Sequence, residues 1–412
     1  MSKIFQDSSS QVKKLFFGIL LNSLGSGLTA TLLIVYLHQM RGLSILSASF
    51  VIAWMSIFGL IATGPVGTLT DKYGPKPVLI FGLLTQTCAT AAWGLVHNTS
   101  TAYFVGAFSA IGQSATWAPQ STMLTRMVSK EERQKIFGVQ FMLLNLGLGL
   151  GGLISALIVN TNNVQSFIHL YLFDGVTYLG YMLIVFFLPN YLAPEQEHES
   201  PQGGYRDLIA DRTLVYFFFA GLIMLICGYG SLDAGMAPTL TIFAHQSVKV
   251  LGPIWAVNTG VIVVGQLYFL RRIEGHSRSR LLQLVALLWA ISWLLIVAVV
   301  KFGEGETPGI WPFILAALST AVFACGEMIW SPVGPAILND LAPEHLRGRY
   351  NAVSSLTWVI SGSIGPSFSG LMLNQGFVYQ WILILFIGCL IAVVLMGRLK
   401  RKLTIEQDGR VQ

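Results

Sequence analysis

The segment Trp117–Gly138, WAPQSTMLTRMVSKEERQKIFG, returns 213 residues later as Trp330–Asn351, WSPVGPAILNDLAPEHLRGRYN. Trp117 matches Trp330, Pro119 matches Pro332 and Glu131 matches Glu344, and each copy runs through a basic loop into Phe137 or Tyr350. The offset is about half of the 412-residue chain, so a duplicated unit is the simplest account of it. What surrounds each copy identifies the kind of unit. Apolar runs of about twenty residues, long enough to cross a hydrocarbon core as a helix, recur through nearly the whole chain.

Composition agrees. Hydrophobic residues make up 54% of the chain and charged residues 11%, against about 25% charged in an ordinary soluble domain. The apolar runs predict helices at 15–37, 45–69, 77–97, 101–126, 136–160 and 166–189, then at 213–237, 249–270, 279–300, 309–335, 348–373 and 376–397. The expected fold is therefore all-α integral membrane, with twelve transmembrane helices in two pseudo-symmetric six-helix bundles. Residues 1–192 form the first bundle, 193–212 a cytoplasmic linker marked by Glu195, Glu197, Glu199, Pro201, Gly203 and Gly204, and 213–412 the second bundle with a basic tail. Both bundles begin on the same side, as in parallel transporter repeats.

Orientation follows from the cations. With the N-terminus inside, all but Arg41, Lys249 and Lys301 of the 25 Lys and Arg fall on the cytoplasmic side, which places both termini there. Short loops and tails suit a bacterial inner membrane. The net charge of +6 sits in these loops rather than on one soluble face, so no nucleic-acid partner is expected. The run Arg398, Lys400, Arg401, Lys402 can touch anionic lipid, and a plain topological anchor explains it as well. The first helix is too long for a cleavable signal peptide. Cys88, Cys227, Cys325 and Cys389 fall inside spans as packing residues. There is no Walker A sequence or paired metal-ligand motif, which argues against an ATP-driven pump, an enzyme, a metal or a cofactor.

The loop after the second helix reads Gly67-Thr68-Leu69-Thr70-Asp71-Lys72-Tyr73-Gly74-Pro75-Lys76. It matches the G-x-x-x-D-[RK]-x-G-x-[RK] motif, and with twelve spans around it the chain resembles the major facilitator superfamily, especially its twelve-helix exporter branch. The resemblance implies a conformational latch in this loop that stabilises the outward-open state. Asp71 is placed to accept hydrogen bonds from a helix N-terminus or to pair with a cation. Gly67 would permit close helix approach, Gly74 a tight turn, and Lys72 with Lys76 an inside anchor. Arg126 is a candidate partner for Asp71 and equally a topological anchor. The corresponding second-half loop, Arg271–Arg278, is basic but has no matching Asp.

Three carboxylates fall within the spans: Asp174 in helix six, Asp233 in helix seven and Glu327 in helix ten. An intramembrane charge is costly, so each is a candidate for proton coupling or substrate contact, weighed evenly against a carboxyl hydrogen-bonded between helices. Glu327 ranks first, one turn before Trp330 and Pro332. Asp233 is expected near the outer end of its helix, and Asp174 ranks third because the resemblance implies a structural acid there. The buried Arg common in helix four of proton-coupled exporters is missing between Phe104 and Ser109. Glycines in helix five (Gly147, Gly149, Gly151, Gly152) and helix eleven (Gly362, Gly365, Gly370) would allow close packing. Trp117 and Trp330 are candidates to line a cavity.

The expected function is secondary export of a small amphipathic drug or metabolite by alternating access, with protons as coupling ion by resemblance, a lipid bilayer around the chain, and a functional monomer. A solute importer or facilitator of the same fold, and a membrane receptor that does not turn over, remain the alternatives.

Overall fold

Backbone N–H and C=O groups inside a bilayer find no water and must close on one another. Among the described residues the chain accordingly forms helices and no strand. The computed structural model describes residues 9–128, 133–190, 205–273, 275–304, 309–343 and 347–409. Twelve long helices follow in order. They are α1 (Ser10–Met40), α2 (Ile45–Tyr73), α3 (Pro75–Ala92), α4 (Thr99–Met127), α5 (Arg133–Ile158) and α6 (Val164–Phe186). The second half holds α7 (Arg212–Phe243), α8 (Leu251–Ile273), α9 (Arg278–Gly303), α10 (Ile310–Leu341), α11 (Arg347–Asn374) and α12 (Val378–Leu399). A short helix, Tyr205–Ala210, precedes α7. Glu131, Glu344 and linker residues 193–204 lie outside the described residues.

Among the described residues, eleven helices are long and apolar enough to cross a membrane. The twelfth, α4, has 29 residues, about 43 Å at helical rise, but carries many Ser, Thr and Gln side chains. Several are satisfied inside the protein: Ser109 donates to Gln86 (3.2 Å), Gln86 to Gln113 (2.8 Å), and the Tyr181 hydroxyl to Gln120 (2.9 Å). Polarity in α4 is thus absorbed by α3 and α6, and the helix still spans.

Local signals set the helix ends. Ser44 accepts from the Ser47 N–H, Asn98 and Thr101 form a reciprocal capping box, and Asn163 accepts from the Gln165 N–H. Asp211 caps α7 through the N–H groups of Thr213 and Leu214 (2.8 and 3.1 Å) and takes a third hydrogen bond from the Tyr350 hydroxyl (2.7 Å) at the start of α11. Burial and the neighbouring Asp211 carboxylate push the Tyr350 phenol above its ordinary range, so this donor stays protonated through neutral pH.

The chain divides into two compact units, Met1–Gln196 with Val248–Thr259, and Glu197–Ser247 with Gly260–Gln412. The first part of α8 thus clusters with the first unit. In the first unit α1 packs along α5 and α6, and α3 along α4 and α6, around a core that includes Phe16, Ile19, Leu83, Met123 and Tyr181. In the second, α9 packs along α10 and α12, and α7 along α11 and α12, with Trp289, Trp293 and Trp381 fully buried.

Each unit contains a glycine-to-glycine crossing too tight for side chains. A Cβ on Gly151 of α5 would lie 2.8 Å from the Gly27 Cα of α1, and one on Gly365 of α11 would lie 2.6 Å from the Gly230 Cα of α7. Lipid tails give no hydrophobic drive for helices to associate, so close backbone contact supplies the attraction. Gly151→Leu and Gly365→Leu should each destabilise the fold by at least about 2 kcal/mol through overpacking, seen as a lower Tm and loss of monodisperse protein on size-exclusion chromatography.

Candidate functional site

The most irregular stretch of the second unit is the middle of α7. Ile226–Gly230 winds as a π-helix, and inside it Gly228 has φ −98° and ψ −107°, outside helical geometry. A wider turn leaves backbone groups without their usual partners. The indole N–H of Trp293 donates to the Cys227 carbonyl at 2.7 Å, and the Ser231 hydroxyl to the Ile226 carbonyl at 2.7 Å. Gly228 has no side chain because the Trp289 ring fills that space; an added Cβ would overlap it.

The break places Tyr229 among aromatic rings. Its centroid is 5.4 Å from Trp289, 5.6 Å from Phe323 and 5.0 Å from Trp358, and Trp289 stacks on Phe323 at 4.7 Å. The Tyr229 hydroxyl hydrogen-bonds the half-buried Glu327 carboxyl of α10. One turn after Tyr229, the exposed Asp233 is close enough for its charge to act on both Glu327 and Tyr229. Because α7 continues to Phe243, Asp233 lies inside its helix rather than near its end. Two carboxyls and a phenol gathered at the break in α7 can share a proton or hold a cationic group jointly. The adjoining rings offer π faces to such a group.

Asp174 has a different setting in the first unit. It is 3% exposed, and its carboxylate accepts from the Thr29 hydroxyl of α1 at 2.8 Å, with Thr177 at 3.5 Å. Neighbouring Tyr178 and Ser26 hydroxyls lie 3.2 Å apart. This is a carboxyl tied between two helices by neutral donors.

In the Gly67–Lys76 segment, Gly74 has φ +84°, a conformation that favours glycine, and breaks α2 from α3. Asp71 is in the last turn of α2, and its side chain lies outside the described residues. Lys72 is exposed over the Tyr73 ring at 5.2 Å. Lys76 donates to the Leu188 carbonyl at 2.5 Å, just past α6, with Phe186 beneath its ammonium at 5.8 Å, so it serves as a cap for that helix end. A Cβ on Gly67 would meet open space, so no close approach is made there within this structure. Arg126 is half-buried in the last turn of α4. The repeat-matched tryptophans differ: Trp117 is 51% exposed, whereas Trp330 is 8% exposed and packs against Gly334.

The sequence alone does not gather Trp289, Phe323 and Trp358 around Tyr229. The available signal was Gly228-Tyr229-Gly230 in mid-span, two glycines flanking an aromatic where an unbroken helix has no use for them.

A model of the Major Facilitator Superfamily matches residues 15–278. The chain is 24% identical over 358 residues to a Na(+), Li(+), K(+)/H(+) antiporter of Planococcus maritimus, covering 80% of this chain and 82% of that one. It is 22% identical over 382 residues to multidrug resistance protein MdtH of Salmonella arizonae, covering 89% and 87%. Its fold is similar to the crystal structure of a D-xylose-proton symporter, with a TM-score of 0.77 at 14% identity over 98% of this chain and 100% of that one.

Trp293→Phe keeps most of the ring volume but leaves the Cys227 carbonyl without its donor, so it should cost about 1–3 kcal/mol. Tyr229→Phe, which retains the ring contacts, should cost less than about 1 kcal/mol. Thermal unfolding of the two purified variants side by side compares the tryptophan that bonds the broken helix with the tyrosine that stands beside it.

Proposed function

The chain belongs to the major facilitator superfamily and is a multi-pass membrane transporter rather than an enzyme, and from that premise we propose that it exports a small amphipathic compound in exchange for protons. The observation that carries this reading is the gathering of Asp233 and Glu327 around Tyr229 at the break in α7.

Antiport requires that proton and cargo exclude one another. A carboxyl pair does this without further machinery: a protonated pair holds an organic cation weakly, and a bound cation weakens proton binding by the same factor, since linkage is reciprocal. Glu327, held by the Tyr229 hydroxyl, is the fixed member, and the exposed Asp233 is the member that cargo meets first. Alternating access then carries the loaded pair to either side by movement of the two six-helix units. Asp71, with Arg126 as its partner, acts as the latch that favours one state, and both termini face the cytoplasm of a bacterial inner membrane. The preference for export with proton exchange draws support from relatives described as a multidrug resistance protein and a cation/proton antiporter.

The decisive experiment is flux in proteoliposomes carrying an imposed pH gradient, with tetraphenylphosphonium and ethidium as probes. Wild type should accumulate at least one probe against its gradient. Glu327→Gln should lose the gradient-driven component while keeping exchange of labelled for unlabelled probe; equal gradient-driven accumulation by wild type and variant would remove Glu327 from coupling. Asp71→Asn should lower the turnover rate several-fold with Tm within a few degrees of wild type, and an unchanged rate at equal protein would count against the latch.

A further inference from the structure

The loop before α9, Arg271–Arg278, corresponds to the Gly67–Lys76 loop of the first half but has no aspartate in the matching place. The fold brings one there from a distant part of the chain. After α12, residues 400–409 turn back along the second unit, and the Asp408 side chain enters the N-terminus of α9. Its carboxylate accepts from the Ser279 backbone N–H at 2.8 Å and from the Ser277 hydroxyl at 2.8 Å, and its backbone carbonyl accepts from the Arg278 N–H at 2.8 Å. Asp408 is 0% exposed.

These contacts do what an N-cap residue normally does for its own helix. The first N–H groups of a helix lack intrahelical partners and favour a negative charge. Ser277, at the cap position of α9, makes no side-chain cap of its own and instead donates its hydroxyl to Asp408. On the other side, the Arg278 guanidinium donates to Asp340 in the last turn of α10 at 2.5 Å and to the Gln407 carbonyl at 3.0 Å. Nearer α12, the Lys402 ammonium lies 5.0 Å from the Tyr216 ring of α7.

The returning segment is held mainly by polar contacts. Leu403 is its one buried apolar side chain, whereas Arg401, Lys402, Thr404, Ile405 and Glu406 are exposed. A segment with so little buried apolar area opens at a fraction of the global unfolding free energy. Its contacts join the start of α9 to the end of α10, two helices that otherwise meet along their apolar lengths.

We propose that residues 400–409 are a releasable strap in which Asp408 supplies an acidic latch beside the Arg271–Arg278 loop, where no Asp stands in the matching place, clamping the ends of α9 and α10 until it lets go. The two halves thus use one device built differently: a carboxylate within the loop in the first, a carboxylate delivered by a returning segment in the second. This assignment does not depend on the cargo or on proton coupling.

Hydrogen–deuterium exchange of the full chain in lipid nanodiscs tests it without any substrate. Asp408→Ala and Arg278→Gln should each speed exchange about tenfold in residues 400–409 and in the last turn of α10 around Asp340, the size expected from losing one strong cap. Asp408→Ala should also expose the first turn of α9, while Glu406→Ala, on the exposed side, should change nothing. Opening of the strap with native protection retained at the end of α10 would reduce the segment to a passive cap and overturn the clamp; unchanged exchange in the strap would overturn its docking. Arg278→Gln leaves the Asp408 cap in place, so it reads the clamp even if Asp408→Ala fails to fold.

Discussion

A backbone carbonyl inside a lipid-spanning bundle has no water to turn to, and at the break in α7 the Cys227 carbonyl takes a hydrogen bond from a side chain instead. Left alone it would cost about 1–3 kcal/mol. The Trp293 indole satisfies it, which fixes Trp293 in the core of the second unit and lets α7 keep a widened turn at Gly228. Trp289 occupies the space that Gly228 leaves and stacks on Phe323. Tyr229 then stands among three aromatic rings with its hydroxyl on Glu327. The site is the downstream result of one satisfied carbonyl.

The three intramembrane acids separate by the donors around them. Asp174 is enclosed and receives neutral hydroxyls from α1 and its own helix, an arrangement that holds two helices in register. Asp233 is exposed and Glu327 half-buried, and each acts on the other. A buried acid saturated by fixed donors has little left to offer a moving ligand. Two carboxyls close enough to repel one another gain from a proton or a cation placed between them.

Helix number, order and approximate ends were legible in the sequence because bilayer thickness imposes a length that a hydropathy window can measure. The fourth helix was read from its apolar run like the rest, although its Ser, Thr and Gln content lowers its hydropathy. The glycines of α5 and α11 also announced close crossings, because little else accounts for clustered small residues in a span. Less visible was anything depending on which face a helix turns inward. Trp117 and Trp330 match in sequence yet differ in exposure, and Lys76, which reads as a topological anchor, also caps α6. Asp408 was illegible altogether, since it matters only where a chain reversal brings it to Ser279, 129 residues away in sequence.

Duplication gave the two halves the same scaffold, and their differences show how the scaffold was divided. The Gly151–Gly27 and Gly365–Gly230 crossings serve the same purpose in each unit, so packing was retained. Ionisable chemistry was not. Within its spans the first unit holds one acid, Asp174, hydrogen-bonded by hydroxyls, and its α3–α4 contact is built on neutral amides and hydroxyls. The second unit carries the broken helix, the aromatic cluster and the open carboxyl pair. A transporter needs one part that changes its charge and another against which that change produces movement. On the proposed reading, an intramembrane carboxyl pair confined to one unit would let a single proton or cation bias the whole equilibrium without a matching event in the other half.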